Sequence, residues 1–396
     1  MNRSTENGDP RFIPFARPSI GAGEKEAVLR VLESGWLTSG TCVETFEEAF
    51  RAYLDVPFAR ALNSATAGLH LSLEAAGIGK GSRVLTTPYT FTSSAEVLRY
   101  LDAHPLFVDI EPDTLNMDPE KSADLLREHA GEISAILPVH LAGRICSIEA
   151  FVELSRRYSI PLIEDAAHAF PVKRGGRYAG TFGTTGVFSF YATKTITTGE
   201  GGMVVTEDPD IAKRISVMRI HGIDREAWDR YTTKRTRAWE YDIVDAGYKY
   251  NLTDLAAAIG IEQLKKAEEF YRRRREIAGY YHEHLCGLDF LTLPEPSQEH
   301  SWHLYIVRLR PETLTLDRDA FAGTLLEKGV ATSVHYKPLH LMSYYRGLYG
   351  FKPEDFPVSL EVFRNSLSLP IYPGLTDDEL EQIVDAVITT GTAARR

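Results

Sequence analysis

A lysine stands in the middle of the stretch GVFSFYATKTITTGEGGMVVT, residues 186–206. The stretch reads as two short apolar strands, 187–190 and 203–206, joined by a polar, glycine-rich loop. An amine held between buried strands loses hydration, which disfavours its charged form and makes Lys194 a better nucleophile. Gly199, Gly201 and Gly202 let the backbone pass close to something bulky. Four more sites follow strands and bear on the same chemistry. Ser64, Ala65 and Thr66 open a helix straight after a strand, where free N–H groups and the helix dipole attract phosphate. Asp165 ends an apolar strand in IEDAAH; an acid there can hold a pyridine nitrogen protonated, or cap the next helix. Two alanines follow it and leave room for a flat ring. Phe91, in PYTF, can stack on such a ring or pack in the core. Ser189 lies five residues before Lys194, close enough to contact the same phosphate. Together these sites describe a phosphate-bearing aromatic aldehyde held by a lysine.

The elements around these residues alternate. Strands are expected at 58–62, 83–87, 105–108, 133–139 and 161–164, with helices at 68–76, 93–101, 119–129 and 148–158 between or after them. Such a rhythm implies an α/β fold with a mostly parallel sheet covered by helices on both faces. Ligands of such sheets bind beyond the carboxyl ends of the strands, which is where the residues above stand. Helices are also expected at 23–34 and 43–54. The turn between them, WLTSG, offers Trp36 and Thr38 either to a ligand or to packing. Residues 207–220 look helical. Residues 222–247 are charged, aromatic and aperiodic, as a functional loop would be. A helix over 253–267 begins at Asn251 or Thr253. The next runs through residue 281 and carries Arg272–Arg275; glutamates flank this run, so a solvated or subunit-facing surface is expected. Beyond about residue 287 the pattern changes, to strands at 302–309 and 331–336 and helices at 318–328 and 377–387. The implied domains are a flexible arm (1–12), a large α/β domain (13–286) and a small α/β domain (287–396).

The chain has 396 residues, 43% hydrophobic and 25% charged, as soluble globular proteins do. Its net charge of −11 argues against general nucleic-acid binding, and an anionic substrate would need a local basic pocket. Cys42, Cys146 and Cys286 are far apart, without metal-ligand or disulfide spacing, and suit a reducing cytosol. The polar start is unlike a signal peptide, and no apolar run reaches membrane-spanning length. A cytoplasmic protein with no metal is expected.

The motifs SATAGLH, PYTF, IEDAAHAF, FSFYATKTITTGEGG, RIHG, GYKYNLTDLAAAIGIEQL and VHYKPLH resemble those of the DegT/DnrJ/EryC1/StrS family. These are sugar aminotransferases dependent on pyridoxal 5′-phosphate (PLP), of the aspartate aminotransferase-like fold type I. The resemblance runs from about residue 13 to about residue 387. It is closest to the branch acting on the 4-keto carbon of nucleotide sugars, which includes the enzyme that makes UDP-4-amino-4-deoxy-arabinose. The resemblance implies that Lys194 holds PLP through an imine. Asp165 would then pair with the pyridine nitrogen, His168 would lie near the 3-hydroxyl and Phe91 would stack on the ring. Ala65, Thr66 and Ser189, with Ser64 beside them, would bind the phosphate. Lys249 would come from the facing subunit of a homodimer with shared sites. Lys194, where a dehydratase side-branch has histidine, argues against dehydration. Trp36, Thr38, His335, Tyr336 and His340 are candidates for the sugar. Arg225, Arg235 and Arg237 are candidates for a diphosphate, or are solvated loop charge. An amino acid, L-glutamate, would pass its amine to a nucleotide-linked 4-ketosugar, the cofactor alternating between PLP and pyridoxamine phosphate (PMP). A 3-ketosugar, an inosose, or a regulator that binds PLP without turnover are the alternatives.

Overall fold

The computed structural model describes residues 12–224 and 241–396. Its strands are β1 (Phe58–Leu62), β2 (Arg83–Thr86), β3 (His104–Phe107), β4 (Ile133–Ile136), β5 (Ile163–Asp165), β6 (Lys173–Arg174), β7 (Arg177–Tyr178), β8 (Thr185–Ser189), β9 (Gly202–Thr206), β10 (Leu291–Thr292), β11 (Tyr305–Leu309) and β12 (Ser366–Leu369). Hydrogen bonds order the larger sheet as β3-β2-β4 and β1-β9-β8-β5. Parallel bridges from Ile136 to Leu162 and from Val139 to Asp165 join the two halves. Among the described strands of this sheet, only β9 runs against its neighbours. It reverses because the chain returns from β8 through a loop, residues 190–201, and not through a crossover helix. That loop carries Lys194.

Side chains of β8 and β9 alternate between the two faces, as the period of two requires. Val187 and Val204 share a buried cluster with Leu69 of helix Ala65–Ala75 and Ile215 of helix Pro209–Met218. Phe188, Met203 and Val205 belong to the opposite cluster, with Phe46 and Phe50 of helix Thr41–Leu54 and Phe151 of helix Ile148–Tyr158. Each such side chain contributes about 1.5–3 kcal/mol by leaving water. With both faces covered, the strands read as near-continuous apolar runs. This is the expected α/β architecture.

Beyond it, β10, β11 and β12 form an antiparallel sheet. Helices Arg318–Glu327 and Asp377–Ala393 pack on it through Phe321, Leu325 and Ile383. The same cluster takes in Ile13 and, from helix Ala267–Leu285, Ile277, Tyr281 and Leu285. Two strand expectations are corrected. Residues 331–336 do not form a strand; Ser333 makes a single bridge to Ser368, and Val330, just before them, makes one to Ile13. Their remaining polar groups serve side-chain bonds: His335 Nδ1 with Ser368 Oγ at 2.8 Å, and the Tyr89 hydroxyl donating to the His335 carbonyl at 2.8 Å. The strand expected from 302 starts at Tyr305, because residues 300–304 cross to the larger sheet. There Ser301 N donates to Gly143 O and Leu304 N to Ala142 O. The β6–β7 hairpin turns on Gly175 and Gly176, both at positive φ, in a segment for which no strand was expected.

Candidate active site

One end of the site is built where helix Ala65–Ala75 begins. The Ser64 hydroxyl caps it, accepting from Ala67 N at 3.1 Å, while Ala65 and Thr66 occupy its first turn. Gly202 comes up beneath: a Cβ there would lie 2.5 Å from the Ser64 carbonyl carbon and 2.6 Å from Ala65 N. Gly202 is opposite Ser189 in the β8–β9 register. The glycine therefore brings Ser64, Ala65 and Ser189 to one place. A helix start with open N–H groups and two hydroxyls beside it can hold an anion.

The other end lies roughly 7 Å along the same strand face, two residues back. Asp165 pairs with Val187 there. The Asp165 carboxylate is buried and accepts from Ser94 Oγ at 2.8 Å and from Ala167 N at 3.1 Å. Burial raises its pKa, against the pull of those donors and of the positive charges on Lys194 and His140. The preceding acid, Glu164, points to the other face. It accepts from the N–H groups of Gly180, Phe182 and Gly183 and pairs with His140 at 2.9 Å, so it is fully occupied by the fold.

His168, Tyr336 and Phe91 line the space in front of Asp165. The Tyr336 hydroxyl is 3.2 Å from His168 Nε2, and the rings of Tyr336 and Phe91 are 6.0 Å apart. Burial, then the charges of Lys194 and His335, holds the His168 imidazole neutral, far below its usual range. Its Nδ1 is buried without a hydrogen-bond partner. Phe91 is 56% exposed, unusual for a phenylalanine.

Lys194 reaches this space from its loop, which is pinned by Thr198 N to Phe190 O at 2.9 Å and by Thr197 N to the Gln263 side chain at 3.3 Å. The side chain is half-buried. Burial lowers its pKa to about 7; Asp165 raises it and Arg274 lowers it. A neutral amine is thus available near neutral pH. Its nearest polar partner is His303 Nε2 at 3.4 Å. Beneath the loop a cavity of about 10 Å³, lined by Ser19, Lys194, Gln263 and Arg274, has room for at most one water.

Other expected residues are placed differently. His340 is corrected: it is fully buried, its Nε2 3.2 Å from the Pro353 carbonyl and its ring against Phe356. It is a packed core histidine because PLH turns the chain inward after Pro338. His335 stacks on Phe15 at 5.3 Å beside Tyr336. Trp36 bonds to its own turn, Nε1 to Ser39 O at 3.0 Å, and lines a separate groove between the first two helices and helix Asp254–Lys265. Thr38 is exposed in the same turn, its carbonyl accepting from Asp254 N. Lys249 is exposed and bonds to Asn251 at 2.6 Å. Arg225, Arg235 and Arg237 lie outside the described residues. Of the two cap candidates, Thr253 is the one that caps its helix. Ser94, His303 and Arg274 were not expected at the site. Arg274 in particular is fully buried, whereas its arginine run was expected at the surface. Among the described residues, no group of three His, Cys, Asp or Glu can hold a metal ion, and no helix is long and apolar enough to cross a membrane.

The residues fit a PLP-sized ligand. Asp165 has neutral donors on both oxygens, Phe91 exposes an aromatic ring, His168 Nδ1 is buried without a partner, and a helix start able to hold an anion stands at the far end. Comparison with known proteins agrees. The family model for the DegT/DnrJ/EryC1/StrS aminotransferase family matches residues 18–388. The spore coat polysaccharide biosynthesis protein SpsC of Bacillus subtilis is 38% identical over 95% of this chain and 96% of its own length. Spr1654 of Streptococcus pneumoniae, solved in PMP and PLP forms, superimposes in the former with a TM-score of 0.88 at 32% identity, over 96% of this chain and 99% of its own. DesI, solved with its TDP-sugar product, gives a TM-score of 0.84 at 30% identity, over 97% and 94% of the two chains. The protein belongs to the DegT/DnrJ/EryC1/StrS family and is a PLP-dependent sugar aminotransferase.

Proposed function

We propose that this enzyme transfers the amine of L-glutamate to the 4-keto carbon of a nucleotide-linked sugar. The observation that carries the reading is the convergence of a low-pKa lysine, a buried carboxylate and a helix-start anion site at the ends of β5, β8 and β1. The sugar nucleotide is supported by the TDP-sugar product held by DesI, at 30% identity. In this reading Ser64, Ala65, Thr66 and Ser189 hold the cofactor phosphate, Phe91 stacks on its ring and His168 meets its 3-hydroxyl. Asp165 keeps the pyridine nitrogen cationic. When bound, PLP supplies the electron sink that lets an amine change carriers. Lys194 takes the proton from the donor's α-carbon as general base and later gives one to the sugar carbon as general acid. Tyr336 and His335, half-buried and neutral, shape the sugar side. One site serves both halves, so ping-pong kinetics follow.

The minimal active unit in this account is a cytoplasmic homodimer. Lys249 of each protomer completes the partner's phosphate site, and Arg225, Arg235 and Arg237, outside the described residues, are the candidates for binding the substrate's diphosphate. Trp36 and Thr38, in the N-terminal turn, are candidates for the partner's sugar site. Residues 13–286 and 287–396 are its two domains in this reading, with Ile13 and the end of helix Ala267–Leu285 packed into the smaller one. The test is incubation with glutamate and a panel of 4-keto and 3-keto nucleotide sugars, with product NMR. A 4-amino product supports the reading; amination at C3 alone, or of a free cyclitol ketone alone, contradicts it.

A further inference from the structure

His303 is the side chain that the Lys194 amine touches. It arrives on residues 300–304, the segment that leaves the smaller sheet to cross under the larger one. Its Nε2 lies 3.4 Å from Lys194 Nζ. The ring is 5% exposed, and its other nitrogen, Nδ1, has no hydrogen-bond partner. An unsatisfied buried polar atom costs about 1–3 kcal/mol. The ring is nevertheless fixed with care. Arg274 Nη1 donates to the His303 carbonyl at 3.3 Å and also to the carbonyls of Trp302 and Ile371, at 3.2 and 2.8 Å. The ring itself lies against His168, with centroids 4.4 Å apart. Backbone and ring are thus both immobilised with one nitrogen aimed at the amine.

We propose that His303 is a positioning residue for Lys194 whenever the amine is free of the cofactor: Nε2, with the ring proton on Nδ1, accepts from the amine and holds its protonated form at the cleft floor. A free lysine has four rotatable bonds, and a general base must hold its proton within reach of one carbon. A neutral imidazole suits the task because it accepts without adding a cation. The charged and titratable groups facing the amine are Asp165, Arg274, His168, His303 and His335. Asp165 favours the ammonium, while Arg274 and burial oppose it. Burial, then Lys194, holds the imidazoles of His303 and His335 below their usual range, and His168 behaves alike. The inference rests on Lys194 being the cofactor lysine.

The test measures the amine itself. The full chain, cofactor-free and loaded with PMP, is labelled with trace acetic anhydride from about pH 5 to about pH 10. Mass spectrometry of the Lys194 peptide gives the midpoint. In His303→Leu the midpoint falls by about one unit, since the protonated form has lost its acceptor. In His303→Gln, whose amide oxygen can accept, it returns to within about 0.3 unit of the parent. Circular dichroism confirms that each variant is folded. An unchanged or raised midpoint in folded His303→Leu overturns the proposal, as does a Gln variant no different from Leu. Nitrogen-15 NMR of the unaltered enzyme is a second measurement that needs no stable Leu variant. A proton on His303 Nδ1 supports the proposal, and a proton on Nε2 overturns it. Borohydride reduction of the PLP-loaded enzyme tests the Lys194 assignment separately. If it leaves Lys194 unmodified, the cofactor reading fails whatever the midpoints show.

Discussion

Gly202 and Ser64 meet backbone to backbone: no side chain fits between the middle strand of one half-sheet and the first turn of the helix that follows β1. The contact explains how a strand distant in sequence comes to face that helix start. Gly202→Ala is expected to force β9 and the helix apart. Overpacking of this kind costs about 1–3 kcal/mol, read as a lower urea midpoint. The displaced helix start should also weaken PLP binding in a fluorescence titration. Unchanged stability and affinity would contradict the role given to this contact.

Glu164 and Asp165 are neighbours with opposite duties. Glu164→Gln unbalances a buried site that accepts three backbone N–H groups and pairs with His140. A loss of about 3–5 kcal/mol in unfolding free energy is expected. Asp165→Asn keeps the shape and loses the charge, so stability should change little while turnover falls roughly 100-fold or more. Chemical denaturation and steady-state assays of the two variants should give opposite profiles.

Lys194 gives the pH dependence its sign. Its folded pKa, about 7, lies below the unfolded value of 10.5. The stability tied to this group is therefore present above the unfolded value and is lost as pH falls through the folded one. In the cofactor-free enzyme, Lys194→Met should remove that loss, so its advantage in melting temperature grows from pH 10 toward about pH 7 and then levels off. An advantage independent of pH would argue that the amine is not depressed.

His340 belongs to the core. His340→Ala should lower stability by about 1–3 kcal/mol and leave KM for the sugar within about twofold of the parent. Denaturation and initial-rate measurements decide it. A large rise in KM at unchanged stability would return His340 to the substrate site.

Much of the fold could be read in advance because its signals are local. Apolar runs mark β1 to β5, β8 and β9, and Thr253 caps the helix it precedes. The site residues that were anticipated stand just after strands, where side chains leave a covered sheet. What escaped depends on long-range packing. Arg274 looks like its three exposed-pattern neighbours until the chain folds Trp302, His303 and Ile371 around it. His303 reads as part of a strand, and only the crossing of residues 300–304 puts it under Lys194. His340 has the same composition as a ligand-facing histidine, and its burial follows from contacts with Pro353 and Phe356 rather than from its own motif.

The account depends most on the covalent role of Lys194. Reduction of the PLP-loaded enzyme with borohydride, followed by peptide mass spectrometry, tests it directly. The account predicts one phosphopyridoxyl group per chain, on the peptide that carries Lys194, and none in Lys194→Ala. A label on any other lysine, or an undiminished label in that variant, would contradict it.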